Sequence, residues 1–308
     1  MTIRNNRSTQ NNLNTPITPT KNNMKNFKLY IAITYGLIWA VGCVLWLSGA
    51  DYPSPMGNTL VSICMFFPLV ATLICQASSR QPLLRGIGIS WKVNRWWFLG
   101  WLTIPAIVLL TLLFNYWIDG NHFTTHSQSL QLLCNNMHLT PVAALTVTFL
   151  FGMLAGATIN ALFAFGEEIG WRGYLLTLFR GRPFFIAAIV TGLVWGLWHA
   201  PFILMGHNYP QHPNLVGILA MIIVSIPLSV LFQYFRLKSG SVIVPAIMHG
   251  TINALSSMTN LFMYDYNDLL IGIPGLAGFL ALLVVVSILF LYDRYISHER
   301  LFTSHINL

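Results

Sequence analysis

Eight stretches of about 20 mainly apolar residues run through this chain, at 29–49, 58–78, 96–118, 143–178, 183–205, 213–235, 240–260 and 270–292. At about 1.5 Å per helical residue, each is long enough to cross a bilayer core of about 30 Å. In hydrocarbon every backbone N–H and C=O must be satisfied within the segment, so an apolar chain of this kind is confined to a helix bundle. The expected fold is therefore all-α, a polytopic membrane bundle of about eight transmembrane helices. Only 8% of the 308 residues are charged, against about 25% in soluble domains. The fourth stretch is too long for a simple span. It predicts a tilted long helix, or a span followed by a broken or interfacial one.

The connections fix an orientation. Lys and Arg gather on the cytoplasmic side of membrane proteins. The segment before the first span holds Arg4, Arg7, Lys21, Lys25 and Lys28, and the second connection holds Arg80, Arg85, Lys92 and Arg95. Arg180 and Arg182 follow the fourth span, Arg236 and Lys238 the sixth, and Arg294 and Arg300 the last. The intervening connections carry Asp51, Asp119, Asp265 and Asp268 but no Lys or Arg. Strict alternation predicts both termini inside. The net charge of +8 then anchors the cytoplasmic face to anionic lipid and does not imply nucleic-acid binding.

Residues 1–26, rich in Asn, Thr and Lys, have the composition of a disordered cytoplasmic tail and lack the pattern of a signal peptide. Cys43, Cys64, Cys75 and Cys134 show no CxxC spacing, and three lie in apolar segments. They read as buried small hydrophobes, with neither a disulfide framework nor a thiolate zinc site.

Ionisable and amide groups inside the spans are few. Glu167, Glu168 and Arg172 lie in the fourth, His199 late in the fifth, and His249 with Asn253 in the seventh. A carboxylate at bilayer depth costs about 2.5–3.5 kcal/mol on insertion scales, so such groups face a protein interior or a wet cavity. Counting from the basic end at about 1.5 Å per residue puts Glu167 roughly 20 Å, His199 roughly 25 Å and Asn253 roughly 22 Å up, in one layer. Glu168 and Arg172 are i,i+4 and can pair, while Glu167 points about 100° away and is expected to have a different task. His249 and Asn253 are also i,i+4. The small-residue pairs Gly152/Gly156, Gly166/Gly170 and Gly192/Gly196 allow close helix approach and are expected to bring Glu167 towards His199. Singly, these polar groups read as an ion pair, core histidines and helix glue. Together in one layer they are poorly explained by packing.

Two chemistries suit such a set. Glu167 can act as general base on a water oriented by His199, with His249 and Asn253 donating to the oxyanion of a tetrahedral intermediate. Alternatively Glu167, His199 and His249 can hold a divalent metal such as zinc, whose bound water attacks. Both hydrolyse a peptide bond within the membrane. The chain has no HExxH, GxSxG or GxGD motif, so the usual zinc, serine and aspartyl signatures are absent.

Three ordered motifs are present, Glu167-Glu168-Ile-Gly-Trp-Arg172, Trp195-Gly-Leu-Trp-His199 and His249-Gly-Thr-Ile-Asn253. They resemble the EExxxR, FxxxH and HxxxN motifs of the CPBP family, the CAAX-protease and bacteriocin-processing membrane endopeptidases also called the ABI group. Trp195 stands where that family commonly has Phe, a change expected to affect packing more than chemistry. The resemblance covers 143–260 and implies a catalytic core there, preceded by N-terminal helices over 27–142 and followed by a last helix and cytoplasmic end over 261–308. It implies that Glu167 activates water, that His199, His249 and Asn253 share the catalytic cavity, and that Glu168 and Arg172 support the site. The implied substrate is a membrane-associated protein or peptide at the plasma membrane, and the tail suits a bacterial protein. Relatives in the family are associated with removal of the last three residues of prenylated proteins, with bacteriocin maturation or with self-immunity. Two other classes fit the same residues. One is a non-catalytic immunity or scaffolding protein; the other is a proton-coupled transporter, for which the chain shows no internal repeat.

Overall fold

The computed structural model describes residues 21–49 and 54–308. Helices account for all the regular structure of these residues. The first is α1 (Lys21–Leu47), so residues 21–26, assigned by composition to the tail, are helical. The rest of that tail and Asp51 lie outside the described residues.

The eight apolar stretches fold into helices, in a less uniform way than eight straight spans. Among the described residues six helical runs are long and apolar enough to cross a membrane. The second stretch breaks into α2 (Pro55–Cys64) and α3 (Phe67–Ser78), which meet at Met65 and Phe66. Next come α4 (Arg95–Asp119), capped by the Asn94 side chain on Trp96 N, and the amphipathic α5 (Gln128–Met137), started by Ser127. Hydropathy alone does not reveal α5, because ten residues of moderate polarity carry no spanning signal.

The long fourth stretch is one continuous helix, α6 (Pro141–Leu178). Two π-helical turns interrupt it, at Gly156–Asn160 and Ile169–Leu175, the second beginning directly after the paired glutamates. Each inserted residue rotates the helix and re-aims the side chains beyond it, a device frequent at functional sites. The fifth stretch yields a 15-residue helix, α7 (Phe184–Trp198), and after His199 a short α8 (Ala200–Ile203). Then follow α9 (Leu215–Ser239), ended by Gly240 at φ +70°, α10 (Ile243–Leu255) and α11 (Leu276–Tyr295). α7 and α10 fall short of a full span, and both stop beside the cavity described below.

Close approaches set the packing. A Cβ on Gly192 or Gly196 would lie 2.7 or 2.6 Å from the Cα of Ile226 or Ile222, so α7 and α9 run antiparallel in backbone contact. Gly156 meets Thr251, and Gly250 meets Ala161, so α6 and α10 do likewise. Gly166 and Gly170 pack on Met65, Phe66 and Pro68 and on Tyr30 of α1. The glycine pairs therefore do not join α6 to α7, as their spacing suggests. Each docks a different neighbour, and Trp195 bridges α6 and α7 instead.

The basic connections converge at one end. Asn94 Nδ2 donates to Ser239 O at 2.9 Å, Val242 N to Gly88 O at 2.9 Å and Ile306 N to Arg182 O at 2.8 Å. Lys238 Nζ lies 2.6 Å from Glu299 there. The remaining connections meet at the opposite end, where Thr124 N donates to Phe262 O at 2.8 Å and His212 Nδ1 lies 2.6 Å from Asp268 Oδ1. The charge alternation in the sequence thus corresponds to two chemically distinct ends. Cys64 and Cys75 are buried as expected, while Cys43 faces outward from α1.

Candidate active site

Glu167 and Glu168 close the α-helical part of α6 ahead of its second π turn, and both side chains are buried. Each contacts the residue four positions on. Glu168 Oε1 accepts from Arg172 Nη1 at 2.8 Å, the pairing that the i,i+4 spacing predicts. Glu167 Oε2 accepts from the indole Nε1–H of Trp171 at 3.2 Å. A second indole reaches the same oxygen from α7, Trp195 Nε1–H at 2.8 Å. The two carboxylates therefore have separate partners.

Trp195 is the centre of the cluster. Arg172 lies over its ring, with Cζ 4.5 Å from the centroid, and the His249 ring meets it edge-on at 5.2 Å. His199 is one turn further along and 5.9 Å away, ring to ring. The expectation that a tryptophan here affects packing more than chemistry is corrected by the structure, because its N–H is a donor to Glu167 that a phenylalanine lacks.

His199 is held by its own helix, Nδ1 lying 2.8 Å from Trp195 O. A carbonyl only accepts, so Nδ1 carries the proton and a neutral ring presents Nε2 as an acceptor. His249 Nδ1 lies 2.9 Å from Glu168 Oε1, so the seventh stretch is tied to the second glutamate of the pair. Asn253, one turn further, is exposed to the cavity.

A cavity of about 350 Å³ joins these groups, lined by Glu167, Trp195, His199, His249 and Asn253. Asn58 and Ser62 of α2 form one wall, and Met221, Val224 and Leu228 of α9 another. His207, Asn208, Ile273 and Pro274 cover it from the connections at the end away from the basic residues. Glu168 and Arg172 do not line it. Among the described residues no protein donor reaches Glu167 Oε1, the oxygen left for a water. The site's neighbours that sequence reading missed are Trp171, Trp195 as a donor, Phe232 and His207. Trp171 was the findable one, since it stands i+4 from Glu167 inside the motif.

The metal alternative can be tested on this geometry. Among the described residues no three His, Cys, Asp or Glu side chains converge closely enough to ligate one ion. Glu167 Oε2 is engaged by two indoles and His249 Nδ1 by Glu168, which leaves Glu167 Oε1 and His199 Nε2 as the open atoms. As placed, these side chains do not converge on one point, and no step below is routed through a metal.

Comparison with known proteins agrees with the motifs. The family described as Type II CAAX prenyl endopeptidase Rce1-like matches residues 153–255, which include all six of these polar residues. The chain is also 24% identical over 297 residues to CAAX prenyl protease 2 of Methanococcus maripaludis, covering 90% of this chain and 97% of that one. Both comparisons point to the CAAX-type membrane endopeptidases that the three motifs resemble. It is a multi-pass membrane protein similar in sequence to these proteases, and its motifs fall on α6, α7 and α10.

Proposed function

We propose that this protein hydrolyses a peptide bond of a lipid-anchored protein or peptide within the membrane, with Glu167 as the base. The observation that carries the proposal is a buried carboxylate with one oxygen held by two indoles and the other without a donor among the described residues, in a cavity shared with two imidazoles and an amide.

A water between Glu167 Oε1 and His199 Nε2 gives one proton to each as hydrogen-bond acceptor. As its oxygen attacks the scissile carbonyl carbon, Glu167 takes the proton in line with the developing bond. The carbonyl oxygen becomes an oxyanion that needs donors. Asn253 supplies an amide N–H. His249, whose Nδ1 is engaged by Glu168, supplies a second donor when Nε2 carries a proton. Glu167 then returns its proton to the leaving nitrogen as the C–N bond breaks, releasing a new carboxylate and a new amine. The apolar wall of α9, with Val61 and Met65 also lining the cavity, suits a lipid-modified segment, and the name of the methanococcal relative points to a prenylated cysteine near a C-terminus.

The test is cleavage of a fluorescence-quenched peptide, a farnesylated cysteine followed by three residues, by purified protein in liposomes. Wild type should cleave it, and Glu167→Gln should lose about 10²–10⁴-fold in kcat while folding normally, the usual contribution of a positioned base. Undiminished cleavage by Glu167→Gln would sink the mechanism. A chelator arm in the same assay reads metal dependence directly.

A further inference from the structure

The carboxylate of Glu167 is not simply buried; it is gripped. Two indole N–H groups converge on a single oxygen, Oε2, one from its own helix and one from α7 across 28 residues of sequence. An indole nitrogen donates and never accepts, so both bonds point the same way. They fix the carboxylate plane and leave Oε1 as the oxygen that can meet a water.

The second indole is itself held. Glu168 fixes Arg172 at 2.8 Å, and the Arg172 guanidinium lies 4.5 Å above the Trp195 ring and 5.0 Å from that of Phe232. A cation over the face of an indole draws electron density from the ring and strengthens its N–H as a donor. The first three polar residues of the family's motifs are thus linked in one line, from Glu168 through Arg172 and the Trp195 ring to Glu167. This gives Glu168 and Arg172, which do not line the cavity, a route to the reacting oxygen. Without Trp195 that route ends at an aromatic face with no donor.

We infer that Trp195, aided by Trp171, is a positioning residue for the catalytic carboxylate, coupling the Glu168–Arg172 pair to Glu167. The inference rests on Glu167 being the base. It concerns the orientation of that base, so removing the N–H should lower kcat and leave KM unchanged.

The decisive substitution keeps the shape of Trp195 and deletes the donor. Incorporating 3-benzothienylalanine at position 195 replaces the N–H by sulfur. With the farnesylated peptide in liposomes, kcat should fall about 10–100-fold with KM within about twofold, the range for a bond to a charged acceptor. Trp195→Phe should show the same split, and restoring tryptophan should restore kcat. Unchanged kcat in the benzothienyl protein overturns the proposal, as does a loss carried by KM. A second measurement does not need turnover. In protein labelled with ¹⁵N-indole, the Nε1–H resonances of Trp171 and Trp195, assigned by single substitutions, should both move upfield in Glu167→Ala. If they stay in place, the clamp does not exist. Should wild type leave the peptide uncut, the substrate reading fails on its own, and the resonances still decide for or against the clamp.

Discussion

Arg172 and Glu168 illustrate what burial does to a single residue. Both are shielded from water, at 1% and 0% exposure, so neither charge has any solvent to fall back on. Arg172→Met should therefore destabilise the fold by about 3–5 kcal/mol, since it leaves a buried carboxylate short of its counter-charge. Thermal unfolding in detergent would register the loss, and a drop below about 1 kcal/mol would mean that His249 alone suffices as partner. His207, on the connection that covers the cavity, shows burial acting on a titration. Desolvation pushes its imidazole down from the ordinary 6.5 to about 4. The folded protein then binds this proton less readily than the unfolded chain. The stability tied to neutral His207 is intact above about pH 6.5 and is lost as pH falls towards 4, with no further loss below that. The melting temperature of wild type relative to His207→Gln should accordingly decline between about pH 7 and 4.5; a constant difference would show that the imidazole is freely solvated.

Among the elements, the glycine contacts decide which helices touch. Gly250 on α10 faces backbone, and a Cβ at that position would collide with Ala161 N and Gly156 O, atoms that cannot swing aside. Gly250→Ala should cost about 1–3 kcal/mol by forcing α6 and α10 apart, and should lower activity because both carry site residues. Gly36 in α1 is the control, with nothing within 4 Å of its Cβ position. Gly36→Ala should be neutral or stabilise α1 by up to about 1 kcal/mol, through the better helix propensity of alanine. Equal melting temperatures for the two variants would contradict this reading of the packing. The same reasoning explains why the second stretch breaks at Met65 and Phe66. Gly166 of α6 lies against Met65 O and the Phe66 backbone, so the break is where the paired-glutamate segment docks. Helical periodicity carries no signal for such an event, because the break serves a neighbour distant in sequence.

At the scale of the whole molecule, the two ends differ in charge and the cavity belongs to one of them. Its cover comes from His207, Asn208, Ile273 and Pro274, opposite the end where Arg182, Lys238 and Glu299 meet the C-terminal segment. With the basic end cytoplasmic, the cover faces outward. In intact cells a membrane-impermeant maleimide should label Cys placed at Asn208 and leave Cys placed at His298 unlabelled until the membrane is opened. The reverse pattern would invert the orientation and turn the cavity towards the cytoplasm.

What the chain determines by itself is whatever depends on near neighbours and on solvent. Apolar run length gives the helices, since lipid leaves the backbone no other way to satisfy its polar groups. The i,i+4 spacing gives the Glu168–Arg172 pair, and the scarcity of ionisable groups in the spans marks the layer in which they gather. What tertiary structure decided is which partner each group found. His249 reached Glu168 across 81 residues, and Trp195 reached Glu167 across 28. Those contacts depend on how the α6 backbone turns through its π segment and on which glycine lets which helix approach. Both are matters of shape between surfaces far apart in the chain, and no periodicity within a single helix encodes them.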